Sequence, residues 1–373
     1  MGWCRRLRPG SYLASLKACS YKDPGTARLP DWTFRRDNEH MLVLGIETSC
    51  DETAVGVVED GRRLLANIVA SQADIHARYG GVVPEVASRH HIEAMVGVVR
   101  AAMLEAGVER TDLEAIAVTA GPGLAGSLLV GLNTAKSLAY AWDKPLIGVN
   151  HLEGHLYANW LNPVAKEPPP PEVPELPAIV MIVSGGHSEL IYVAEHGSYK
   201  LLGRTRDDAA GEAFDKAARV LGLGFPGGPA IERAAREAGP KPPRLPRAWL
   251  GESNDFSFSG LKTAVGRVAQ ESEAPVADIA AGFQTAVCDV LTRKAVRVAE
   301  ATGAASILLS GGVAANGPLR TMLRERSTVP VWVPPPVLCT DNGAMIAAAA
   351  HFRAESGRAG LDLDVRASWP IAG

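Results

Sequence analysis

Two stretches of this chain, 135 residues apart counting from Ser49 to Ser184, are built alike. Leu42 to Ile46 is an apolar run that breaks at the polar turn Glu47-Thr48-Ser49-Cys50-Asp51-Glu52 and resumes as Thr53 to Val58. Ala178 to Val183 breaks at Ser184-Gly185-Gly186-His187-Ser188 and resumes as Glu189 to Ala194. Each reads as strand, turn, strand. A third small-residue turn, Ser310-Gly311-Gly312, follows the strand Ser306 to Leu309 and precedes a helix after Asn316. An internal repeat limits the fold more than any single motif does. It predicts two similar halves whose turns face each other, with backbone N–H groups able to close on a phosphate from both sides.

Between the turns, strands and helices alternate. Leu64 to Ala70 predicts a third strand, and Pro84 opens a helix at its first position that runs to Gly107. Ala115 to Thr119 is a buried strand, turned by Ala120-Gly121-Pro122-Gly123 into a small-residue helix ending near Trp142. Pro145 to Val149 is a short strand that delivers His151. Residues 163–177 hold seven prolines and predict a stiff linker or exposed loop at a domain boundary. Helices are expected over 211–221, 228–238, 259–270, 276–302, 318–326 and 342–354, with a late strand over 331–333. The mixture is α/β. Two similar halves around a cleft resemble the actin, hexokinase and Hsp70-like architecture.

Chemistry concentrates in Val149-Asn150-His151-Leu152-Glu153-Gly154-His155. Two histidines four apart on a helix share one face, so both imidazoles reach one ion. The plainer reading is a helix that happens to carry two histidines. Asp341, in Cys339-Thr340-Asp341-Asn342-Gly343, offers a third ligand, and Cys339 is a soft competitor two residues away. The carboxylate is preferred because it is harder and leaves the ion a better Lewis acid. Cys50 has no partner base in sequence and is not expected to act as a nucleophile.

Composition excludes some classes. At 373 residues the chain is long enough for two cores, and 47% hydrophobic with 21% charged residues is ordinary for a globular protein. A net charge of −3 gives no basic footprint of a nucleic-acid binder. Five scattered cysteines (4, 19, 50, 288 and 339) form no CxxC pair, which argues against a disulfide framework. No apolar run reaches membrane-spanning length, so no membrane association is expected. Met1 to Lys22 carries five cations and no acid, as mitochondrial leaders do, but is short of serines. A disordered tail over 1–40, or an upstream start ahead of Met41, is the reading preferred here.

The ordered motifs are specific. Gly45 to Thr53, Gly80-Gly81-Val82-Val83-Pro84-Glu85, Ala120 to Leu124, His151 to His155, Val183 to His187, Asp207 to Lys216, Phe256 to Lys262 and Thr340 to Gly343 resemble the tRNA threonylcarbamoyl transferases, formerly described as O-sialoglycoprotein endopeptidases. The likeness runs from Met41 to Pro370. It implies transfer of a threonylcarbamoyl group from threonylcarbamoyl-AMP to N6 of adenosine 37, in tRNAs reading codons that begin with adenine, with release of AMP. By carry-over, His151, His155 and Asp341 hold one divalent metal, Fe(2+) before Zn(2+). Ile182, Val183, Ser184, Gly185 and Gly186 contact the adenylate phosphate or the threonyl end. Asp215, Gly228 and Asn316 hold ribose and adenine, with Glu232 standing where the family usually has Asp. Asp51 and Glu52 steer the phosphate or the target amine, or only shape their turn.

The plainer roles are an ion pair with Arg219 for Asp215, a helix cap for Gly228 and an N-cap for Asn316. The resemblance further implies a related non-catalytic subunit, a small ATPase partner and a cytoplasmic setting. It sets a first half at 41–175, a second half with inserted helices at 176–341, and a C-terminal helix and tail, 342–373, packing back on the first. Two other classes compete: an ATP-hydrolysing kinase or chaperone of the actin-like group, and a zinc metalloprotease. The protease needs Glu directly after the first histidine, where this chain has Leu152.

Overall fold

The computed structural model describes residues 40–162, 167–354 and 357–372. The expectation for the N-terminal extension falls outside that range, His40 excepted. The chain opens with strands β1 (Leu42–Glu47), β2 (Glu52–Glu59) and β3 (Arg63–Ser71), then the short helix α1 (Ala73–Ala77) and the long α2 (Pro84–Ala106). There follow β4 (Ala115–Gly121), α3 (Ala125–Trp142), β5 (Leu146–Asn150) and α4 (His151–Tyr157). The second half runs β6 (Ala178–Val183), β7 (Ser188–Glu195), β8 (Ser198–Arg204), α5 (Ala210–Val220), α6 (Gly227–Ala235), α7 (Ser259–Glu271) and α8 (Val276–Thr302). It ends with β9 (Ser306–Ser310), α9 (Gly317–Arg326), β10 (Val331–Trp332), α10 (Pro336–Cys339), α11 (Gly343–Phe352) and β11 (Arg358–Ala359).

The repeat is complete at the level of strand pairing. One sheet has the order β11-β5-β4-β1-β2-β3 and the other β10-β9-β6-β7-β8. In each, a strand pairs antiparallel with the next, which pairs antiparallel with a third, and the first pairs parallel with the strand that follows the helices. Among the described strands, only β11, antiparallel to β5, lacks a counterpart. The third strand of the second half, β8, is absent from the sequence reading. It lies at a sheet edge with mostly polar or half-exposed residues, so no apolar run marks it.

Three apolar clusters show the layering. The outer face of the first sheet buries Leu44, Ile46 and Val118 against Met95 and Val99 of α2 and Leu132 of α3. The outer face of the second buries Met181 and Leu309 against Phe214 of α5 and Phe283 of α8. Between the sheets, Val43, Ala117 and Val149 of one meet Val180 and Ile182 of the other through Leu152 and Leu156 of α4 and the alanine-rich α11. The helix carrying both histidines therefore lies in the seam, with all seven of its residues buried. The Pro-rich segment is strapped to the β2–β3 turn, where the Arg62 guanidinium donates to the Pro170 carbonyl.

Helix α11 sits directly on the β1–β2 hairpin backbone. Gly45 and Gly56 are cross-strand partners. A Cβ on Gly56 would fall 2.3 Å from the Ala344 nitrogen, and one on Gly45 would fall 2.4 Å from the Ala347 nitrogen. Both would collide with helix backbone, which cannot swing aside as a side chain can. Gly56→Ala is expected to cost ~2 kcal/mol or more, as overpacking does. Gly97→Ala is expected to be neutral or slightly stabilising, because Gly97 is in helix α2 with nothing within 4 Å of its added carbon. Thermal unfolding of the two variants checks the opposite signs.

Candidate metal centre and cleft

The parallel strands aim their carboxyl ends at one place. Strand β5 ends at Asn150, whose side-chain oxygen accepts the Leu152 N–H at 2.9 Å and so starts α4 without a linker. One turn apart, the His151 and His155 rings meet edge to face at 4.7 Å between centroids. Behind them, Glu153 takes two hydrogen bonds from Arg353 at 2.6 and 2.5 Å, which fixes the helix from its far side. Asp341 arrives from the other half. It lies in the link between α10 and Asn342, the N-cap of α11, so that helix starts at Gly343, one residue later than expected.

His151, His155 and Asp341 bring one ligand atom each within 4.8 Å of the others. Asp341 Oδ1 is 3.1 Å from His155 Nε2 and 3.6 Å from His151 Nε2. The short contact to His155 is not aligned as a hydrogen bond, and both ring nitrogens of His155 are buried without a hydrogen-bond partner. A buried, unpartnered imidazole is costly. Two imidazoles and a carboxylate with an open side fit a divalent ion, which would satisfy the Nε2 of His155 that lies beside Asp341. Cys339 does not compete. Its thiol is 1% exposed, donates to the Pro334 carbonyl at 3.4 Å and accepts from Arg320 at 3.1 Å, on the side of the second core.

The electrostatics follow from burial and crowding. Burial alone would depress His151, but the Asp341 and Glu47 carboxylates outweigh it and lift its pKa to about 9. Asp341, which burial would raise, is held at about 2 by the adjacent His151 and His155 rings. His187 is pushed down to about 4 by burial and by the same two histidines, so it stays neutral near pH 7. Burial, then Asp51 and Asp341, push the Cys50 thiol far up, which removes it as a thiolate nucleophile. Burial, then Asp341 and Asp51, raise Glu52 to about 10.

A cavity of about 690 Å³ opens beside this cluster. Asp51, Glu52, His151, Ser184, Gly185, Gly186, Asp215 and Asp341 all line it, so eight of the residues singled out in the sequence share one space. The others stand differently. Ile182 and Val183 are buried strand residues whose side chains enter the cores, leaving only their backbone for contact. Asn316 caps α9 through the Leu319 N–H at 3.0 Å, and its amide donates to Gln284 at 2.8 Å and to Glu232 at 3.3 Å. That trio and Gly228 are not among the residues lining the cavity. Asp215 faces the cavity and accepts the Gly227 N–H at 2.7 Å, at the start of α6; its expected partner Arg219 reaches across to the Gly80 carbonyl instead, at 2.6 Å.

Glu47 was read only as a turn residue. It ends β1, is wholly buried, and accepts from His151 Nδ1 at 3.1 Å and from the Thr119 hydroxyl at 2.6 Å. A charged residue closing a run of apolar ones was the signal available. Its partners, 72 and 104 residues away, were not.

Known proteins share the fold and, at higher identity, the sequence. Among solved structures, full-length HypF in its phosphate- and nucleotide-bound form aligns with a TM-score of 0.56 at 16% identity, over 85% of this chain and 56% of that one. HypF from T. kodakarensis gives the same score at 17% identity, over 87% and 49%. These likenesses concern the fold, which is the duplicated α/β architecture of the actin, hexokinase and Hsp70-like group. The tRNA N6-adenosine threonylcarbamoyltransferase of Thermomicrobium roseum is 58% identical over 89% of this chain and 97% of its own length. That of Dehalococcoides mccartyi is 55% identical over 87% and 98%. A family model described as tRNA N6-adenosine threonylcarbamoyltransferase matches residues 63–348. On these matches, the chain belongs to the tRNA N6-adenosine threonylcarbamoyltransferase family, a family of transferases.

Proposed function

We propose that this chain transfers the threonylcarbamoyl group of threonylcarbamoyl-AMP to N6 of adenosine 37 in tRNAs that read codons beginning with adenine. The observation that carries the reading is the meeting of His151, His155 and Asp341 where His151 and Asp341 line a cleft that also holds the Ser184–Gly186 turn, with His155 buried just behind them. In the reaction the N6 amine adds to the carbamoyl carbonyl. The bond to the phosphate oxygen breaks, AMP leaves with the electron pair, and the amine gives up a proton.

His151, His155 and Asp341 would hold one divalent ion, iron(II) first and zinc second, and its chemistry there is to polarise and orient the carbonyl oxygen. The small residues Ser184, Gly185 and Gly186 let phosphate approach the backbone, with the Ile182 and Val183 backbone behind them. Asp215 takes the ribose, and Gly228 and Glu232 of α6, with Asn316, complete the adenosine pocket. Glu52, held up by burial and its acidic neighbours, offers an O–H to an anionic phosphate, and Asp51 faces the incoming amine. The halves 41–175 and 176–341 close on the substrate, with 342–373 returning to the first. The enzyme works in the cytoplasm with a related non-catalytic subunit and a small ATPase.

Neither competing class gains from the geometry. A protease of this motif would need Glu directly after the first histidine, where Leu152 stands, and Glu153 is tied to Arg353. Repeated hairpins permit an ATPase, but they do not call for a His–His–Asp cluster.

Incubation with tRNA, threonine, bicarbonate, ATP and the partner enzymes, followed by mass spectrometry of the nucleosides, tests the reaction directly. Purified chain is expected to carry close to one iron or zinc. His151→Ala, His155→Ala and Asp341→Ala should each lose most of it and stop transfer, while Cys339→Ser keeps it. Asp215→Ala is expected to weaken AMP binding by ~1–3 kcal/mol, read by calorimetry; wild-type affinity would remove Asp215 from the site. Because His151 holds a proton up to about pH 9 without metal, Zn(2+) has to displace it. Zinc affinity should therefore rise about tenfold per pH unit from pH 6 toward 9 and flatten above. A flat profile would mean that His151 is not a ligand.

A further inference from the structure

Glu47 lies outside the residues assigned above, yet it is the most completely buried acid in the seam. Its Oε2 accepts from the Thr119 hydroxyl at 2.6 Å and from His151 Nδ1 at 3.1 Å, and its Oε1 accepts the Ser49 N–H. Both oxygens are thus occupied, and no solvent reaches the residue. An ionised carboxylate in such a place is expensive unless a compensating charge sits nearby. The neighbouring residue able to face a cation is His151, whose Nε2 is turned toward Asp341.

We propose that Glu47 is the positioning residue of the metal centre. Its carboxylate holds His151 as the tautomer with hydrogen on Nδ1, which leaves the Nε2 lone pair directed at the space shared with His155 and Asp341. Thr119 and Ser49 in turn hold Glu47, so the orientation of the ligand is set from strands β1 and β4. The charges also balance. With neutral histidines, Glu47 and Asp341 together carry two negative charges, which a divalent cation offsets. A ligand's outer hydrogen bond to a carboxylate typically changes metal affinity 10–100-fold. The inference rests on the metal reading of His151, His155 and Asp341.

The test uses the full chain and Zn(2+) alone, with affinity measured by chelator competition. Glu47→Gln keeps an oxygen for Nδ1–H but removes the charge, and is expected to weaken zinc 10–100-fold. Thr119→Val keeps the charge but removes one donor, and is expected to weaken zinc several-fold. The visible spectrum of the Co(2+)-loaded protein should shift in both, whereas AMP affinity should stay within about twofold. Zinc affinity equal to wild type in both variants overturns the proposal. So does a parallel loss of AMP binding, which marks a general structural role. If Glu47→Gln does not fold, Thr119→Val decides alone by the same two outcomes. A wild-type chain that binds no zinc, or a His155→Ala variant that keeps it, overturns the metal reading and the proposal together, and is told apart by that.

Discussion

The contact on which the rest depends is backbone against backbone: helix α11 lying on the β1–β2 hairpin at Gly45 and Gly56, with Gly343 in the first turn of the helix. A Cβ on Gly343 would fall 2.2 Å from the Gly56 nitrogen, so all three positions exclude a side chain. This close approach lets an alanine-rich helix fill the thin layer between two sheets. It also fixes where α11 begins, and Asp341 stands two residues before that start. At its other end α11 leads into Arg353, which holds Glu153 on α4. One element thus sets the aspartate from its N-terminal side and braces the histidine helix from its C-terminal side.

The seam explains why the two halves share a site. His151 and His155 follow β5 of the first sheet, and His187 follows β6 of the second. Asp341 enters through α10, after β10, and α4 packs on both sheets. The cleft thus has walls from both halves, His151 from the first and Ser184 to His187 from the second. Arg219, reaching from α5 to the Gly80 carbonyl, is a second tie across the same opening.

Much of this was legible in the sequence, for identifiable reasons. The first turn of each half stands out because a buried strand must stop at a polar turn, and the repeat of that pattern predicted two similar sheets. The spacing of His151 and His155 is a helical period, and choosing Asp341 over Cys339 needed only ligand hardness. What the sequence hid is contact between distant residues. Glu47 looks like a turn residue until Thr119 and His151 close on it. Asn316 reads equally as a cap or a ligand, and it caps α9 while also bonding Gln284, Glu232 and the Cys288 thiol. Strand β8 has no apolar run because an edge strand needs none, although the repeat itself called for a third strand there.

Glu47, His151, His155 and Asp341 place four ionisable groups beside an apolar layer that includes Val149, Leu152, Leu156, Ile182 and a run of alanines. Apolar residues of the same volume would hold the seam together at less expense, since a buried charge cluster seldom adds stability. Within the cluster the hydrogen bonds are uneven. Glu47 is saturated with donors, whereas both nitrogens of His155 have none. A cluster built for stability would pair its neediest atoms first. This one pairs the outer carboxylate and leaves the inner imidazole unpaired, with its Nε2 beside Asp341 of the cleft wall, the order expected when the missing partner of that nitrogen is a ligand supplied from outside the chain.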